Sequence, residues 1–110
     1  MNQKTMRNKK KYYPLPRYLT IGPSDIQGLG LIAKEDIPAE IVLGISHIYD
    51  PNFQHEYIRT PLGGFINHSK KPNCELVDDD GNMDYKQLKT LTKIELGEEL
   101  TLKYSLYKIK

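Results

Sequence analysis

Residues Gly63–Cys74 read GGFINHSKKPNC, a stretch that does not fit a generic β domain. Two glycines and the apolar pair Phe65-Ile66 run into a polar segment that gathers Asn67, His68 and Ser69. Asn and His, with the backbone around them, offer both donors and acceptors, a set suited to the edge of a heterocycle such as adenine. A Ser-His catalytic pair is a poor reading, because adjacent side chains rarely face each other and no nucleophile elbow surrounds Ser69. A zinc site built from His47, His55, His68 and Cys74 lacks any recognisable ligand spacing, so no metal is expected.

Two further stretches stand on either side. Gly97–Tyr104 reads GEELTLKY, and Gly28-Leu29-Gly30 follows a turn signal at Pro23-Ser24-Asp25. Paired glycines let a backbone approach a ligand closely, since no Cβ intervenes. As a phosphate cradle the Gly-x-Gly fails, having no third glycine, no following helix and no Lys-Ser/Thr pair. Tyr104, taken alone, reads as a half-buried strand residue. Short β-branched or aromatic runs predict strands at Arg17–Ile21, Leu29–Ala33, Ile41–Tyr49, Cys74–Val77, Tyr85–Leu91 and Leu100–Lys103. The acidic, glycine-bearing turn Asp78–Asn82 predicts a hairpin between the fourth and fifth of these. Apolar residues do not recur at helical spacing over any long window, so the class is mainly β, with several small sheets and few or no long helices.

The chain has 110 residues, enough for one small domain and too few for a dinucleotide-fold enzyme. A single cysteine, Cys74, excludes an internal disulfide framework. No window resembles a membrane span, and no apolar run follows the basic start as a signal peptide requires. A soluble, intracellular protein is expected, of the cytoplasm or of a host nucleus. The formal net charge of +2 is unevenly placed: Lys4, Arg7, Lys9, Lys10, Lys11 and Arg17 give the first twenty residues +6, leaving −4 on the rest. Residues 1–16 read as a basic, flexible tail, a solvated terminus rather than a nucleic-acid arm. An acidic body suits a cationic partner. The carboxylates of Glu98, Glu99 and the Asp78–Asp80 turn are read as solvated or locally hydrogen-bonded in preference to attracting a cationic partner segment.

Taken in order and spacing, these stretches resemble the SET-domain protein-lysine methyltransferases. Gly28-Leu29-Gly30-Leu31-Ile32-Ala33 is similar to that family's N-terminal motif, Phe65–Cys74 to its central Asn-His-Ser signature, and Gly97–Tyr104 to its C-terminal Gly-Glu-Glu-Leu-Thr-x-x-Tyr. The brevity, and a Lys after Asn-His-Ser, resemble the minimal SET proteins of large DNA viruses. The resemblance covers about residues 17–107 and implies a SET domain over 17–110 in a β-clip-like fold, with the C-terminal segment threaded as a pseudoknot. It implies S-adenosylmethionine as cofactor, the backbone of Gly28, Leu29 and Gly30 meeting its methionine end, and Asn67 and His68 holding its amino and adenine groups. Tyr104 is then the catalytic residue, orienting the amine of a lysine in a histone or other basic protein.

The departures from the family pattern carry expectations too. Leu102 and Leu76 stand where family members often have aromatic channel residues, and Ser46 and His47 where another channel Tyr is common. Fewer hydroxyls leave room for higher methylation states, or for a catalytically weak or inactive module that only binds a lysine-bearing partner. Lys70 replaces the signature Cys, and no Cys-x-Cys follows Tyr104, so a SET domain without the zinc-binding post-SET segment is expected. Tyr107, or the second chain of a homodimer, is then expected to close the lysine channel.

Overall fold

The computed structural model describes residues 14–53, 56–79 and 81–103. Strands β1 (Leu19–Pro23) and β2 (Leu29–Ala33) form an antiparallel hairpin with Leu19 opposite Ala33 and Pro23 opposite Leu29. Its turn closes with the Ser24 N–H donating to the Gly28 carbonyl at 2.9 Å, and Gly28 takes φ +52°, a conformation that favours glycine. The Ser24 hydroxyl accepts the N–H groups of Ile26 (2.8 Å) and Gln27 (3.1 Å), which fixes the turn internally.

The largest sheet is antiparallel, in the order β4 (Tyr57–Arg59), β3 (Val42–Tyr49), β7 (Asn82–Thr90), β6 (Cys74–Asp79). The acidic hairpin is present, with Asp79 paired to Asn82. One four-residue helical turn, α1 (Pro61–Gly64), follows β4 and begins with proline, whose fixed φ suits a first helical position. The two-residue strands β5 (Asn67–His68) and β8 (Thr101–Leu102) pair in parallel. The expected class is thus observed. Strands β4 and β5 were not legible as strands, and the others differ from expectation only at their ends.

Three connections place the C-terminal segment. The Ala33 N–H donates to Glu98 O (2.9 Å), Gly97 N–H to Ala33 O (2.8 Å) and Leu100 N–H to Leu31 O (2.9 Å), so residues 97–100 run antiparallel to β2. Residues 101–102 then pair with β5, and the Ser69 N–H donates to Leu102 O at 3.1 Å. Asn73 clasps the junction: its Nδ2 donates to Glu99 O (3.0 Å) and its Oδ1 accepts the Thr101 N–H (2.8 Å). The segment therefore lies between β2 and the 67–73 loop, the arrangement a threaded C-terminus requires. Leu100 and Leu102 are buried in one core with Leu19, Leu31, Ile37, Leu62, Ile66, Leu88 and Ile94. Leu15 and Tyr18 pack against that core from the N-terminal side.

Ser46 and His47 are both buried although they are neighbours on a strand. A register shift between Ile45 and His47 explains it, because a bulge breaks the alternation that sends consecutive side chains to opposite faces. The pair is internally bonded, with His47 Nδ1 at 2.9 Å from Ser46 Oγ and Ser46 Oγ donating to Lys86 O at 3.3 Å. Gly63 packs directly over it, and a Cβ there would sit 2.2 Å from Ser46 O. Burial, with the cations Arg59 and Lys86 paired across the sheet, lowers the His47 pKa to about 4.

Two outcomes follow from this packing. Asn73→Ala removes three side-chain bonds and strands the buried Thr101 N–H, so it lowers unfolding free energy by about 2–3 kcal/mol in urea titrations. His47 enters the fold neutral, while the unfolded chain takes up its proton near pH 6.5. Stability is therefore lost as pH falls from about 6.5 to about 4, by roughly 3 kcal/mol, and no further below that. Urea midpoints at pH 7.5 and 4.5 should fall further in the wild type than in His47→Gln, and equal falls would contradict this assignment.

Candidate functional site

Hydrogen bonding in the β1–β2 hairpin alternates, as in any antiparallel pair. The Ser24–Gly28 bond puts the even-numbered residues of β2 in bonding contact with β1, so Leu29, Leu31 and Ala33 direct their backbone groups to the other side. Leu31 and Ala33 use theirs on the C-terminal segment. Leu29 lies one step beyond the end of that pairing, and its carbonyl instead accepts Asn67 Nδ2 at 3.2 Å.

That contact belongs to a larger cluster. Asn67 Nδ2 also lies 2.8 Å from Glu99 Oε2, 3.1 Å from Ser24 Oγ and 3.2 Å from Gln27 O. The Ser24 hydroxyl sits 2.7 and 2.9 Å from the two Glu99 carboxylate oxygens. The three stretches singled out in the sequence therefore meet: the Gly28–Gly30 loop, Asn67 of the central signature and Glu99 of the C-terminal one. Gly30 is small for a local reason, since a Cβ there would lie 2.3 Å from Glu99 Oε2. Gly28 is different, because a Cβ there meets nothing within 4 Å and leaves its surroundings open. Leu29 is half exposed beside it, and His68, paired in register with Leu102, is exposed.

A second feature adjoins β8. A cavity of about 270 Å³ is lined by Leu76, Leu91, Leu102, Cys74 and Pro72, with Glu75 and Lys103 adding charge. It is smaller than the roughly 300–1,000 Å³ of ordinary small-molecule pockets and suits a single side chain. Leu76 and Leu102 thus line one space, whereas Ser46 and His47 are held in the packed layer beneath α1. The Cys74 thiol is pushed up to about 12 by burial, which makes it an inert wall rather than a nucleophile. Tyr104 and Tyr107 lie outside the described residues, Tyr104 immediately after Lys103.

Of the other carboxylates named from sequence, Asp80 lies outside the described residues and the rest are engaged locally. Glu98 Oε1 accepts the Glu95 N–H at 2.6 Å, Asp78 pairs with Lys86, and Asp79 Oδ2 accepts the Gly81 N–H at 3.1 Å. Sequence reasoning gave no role to Ser24 or Asn73, and it read Glu99 only as a solvated or locally hydrogen-bonded carboxylate. A serine in a Pro-Ser-Asp turn, and an asparagine and a glutamate inside the two signatures, were the available signals. Among the described residues no three His, Cys, Asp or Glu side chains gather as a metal site, and no helix is long and apolar enough to cross a membrane.

Comparisons with known proteins bear on the fold and the family. The crystal structure of a Plasmodium falciparum protein provisionally assigned as a histone methyltransferase superposes with a TM-score of 0.63. It is 18% identical, and the match covers 80% of this chain and 93% of that one, a likeness of fold. Among curated proteins none matches. The family model for the SET domain matches residues 45–105, more than half of the sequence, and the chain belongs to the SET-domain family.

Proposed function

We propose that this SET-domain protein transfers methyl groups from S-adenosylmethionine to the ε-amine of a lysine in a histone or another basic protein. The observation that carries the reading is the meeting of Leu29, Asn67 and Glu99 in one hydrogen-bonded cluster, beside an open backbone at Gly28. The cluster is rich in acceptors: two carbonyls, a hydroxyl and a carboxylate surround a single amide. Such a donor-poor set fits an ammonium group, which the methionine end of the cofactor carries. Gly28, Leu29, Gly30, Asn67 and the backbone of His68 are the residues assigned to hold it. When bound, S-adenosylmethionine supplies an electrophilic methyl group carried on a sulfonium.

The protein's remaining tasks concern the lysine. A free lysine amine has a pKa near 10.4 and is protonated at neutral pH, so it is not a nucleophile. The leucine-lined cavity at Leu76, Leu91 and Leu102 strips water from an entering side chain, which favours the neutral amine. Tyr104, two positions beyond Leu102, orients that amine through its hydroxyl. The charge of −4 outside the first twenty residues favours a cationic partner, and the structural neighbour's assignment to histones points the same way.

Incubation with labelled S-adenosylmethionine and lysine-rich proteins, histones included, should give labelled methyl-lysine. Tyr104→Phe should lower turnover by about 100-fold or more while cofactor affinity stays within a few-fold. Cofactor binding without transfer to any substrate would instead favour a module that reads lysine without modifying it, a reading that the hydroxyl-free walls at Leu76 and Leu102 supply.

A further inference from the structure

Counting protons in the Asn67 cluster exposes an imbalance. An asparagine amide has two protons to donate, yet four acceptors lie within 3.2 Å of Asn67 Nδ2. The Ser24 oxygen already receives the N–H groups of Ile26 and Gln27, and its own proton goes to Glu99. The shortest contact of the amide is to Glu99 Oε2 at 2.8 Å, which leaves one proton for the carbonyls of Gln27 and Leu29, both at 3.2 Å. One carbonyl is therefore left underserved by the amide.

Glu99 also decides which way the amide points. A carboxylate accepts and does not donate, so it holds the nitrogen toward itself and leaves Asn67 Oδ1 on the other side. Gly30 makes this possible, because any Cβ at that position would displace the carboxylate. Ser24 fixes the carboxylate in turn, and its own hydroxyl is fixed by the hairpin turn.

We propose that Glu99 sets the charge preference of this site: by drawing the Asn67 amide nitrogen to itself it leaves a carbonyl of Gln27 or Leu29 short of a donor, and with its own charge it selects a cationic amine there. Ser24 is the positioning residue that holds Glu99 in place. The proposal rests on the cofactor reading above and adds to it a residue for recognising the amine.

Calorimetry with two ligands tests it without turnover. S-adenosylhomocysteine carries the α-amine, and 5′-methylthioadenosine keeps the nucleoside and sulfur but lacks the amine. Glu99→Gln removes the charge and frees the amide to turn, so it should weaken S-adenosylhomocysteine about tenfold or more and leave methylthioadenosine within twofold. Ser24→Ala should weaken only S-adenosylhomocysteine, by about threefold, with the thermal unfolding of both variants measured alongside. An equal loss for both ligands would assign Glu99 a merely structural role and overturn the proposal, as would no loss for either. A wild-type protein that binds neither ligand overturns the cofactor reading itself, an outcome distinct from failure in the variants alone.

Discussion

The structure depends on one insertion: residues 97–102 are held by hydrogen bonds along β2 on one side and along the 67–73 loop on the other. An extended segment with partners on both edges has few free backbone groups, and its side chains can be buried on both faces. Leu100, Thr101 and Leu102 are consecutive and all buried. The chain end thereby becomes part of the core, and it carries Lys103 to the leucine-lined cavity.

Side-chain amides and one carboxylate lock that insertion. Asn73 bonds the backbone on both sides of Leu100, at Glu99 and Thr101, so a slip by one residue would break both contacts and flip the inward face. Glu99, on the same segment, reaches back to Ser24 and Asn67 and so ties the first hairpin to the central loop. These bonds join positions more than twenty residues apart in sequence. A 110-residue chain can hold such a site without a second domain because the insertion makes distant stretches adjacent.

Much of this was legible and the remainder had physical reasons not to be. Strand β2 followed from its short apolar run and matched at both ends. β5 could not be seen, because Asn67 and His68 are polar and become a strand only through pairing with β8. The burial of Ser46 and His47 depends on a bulge, which has no signature in residue type. The glycine at position 30 was noted as permissive for a ligand, whereas its immediate cause is the Glu99 side chain. The pairing of Leu76 with Leu102 in one cavity was implied by family resemblance and not by periodicity, since β6 and β8 lie in different sheets.

If the inserted segment builds the site, a ligand at Leu29 and Asn67 must stabilise the insertion as well as occupy it. Native-state hydrogen exchange, with and without saturating S-adenosylhomocysteine, measures this coupling residue by residue. The account predicts slower exchange at the amides of Ala33, Ser69, Leu100 and Thr101, which join the segment to its two neighbours. Ligand binding with unchanged exchange at these four amides would contradict it.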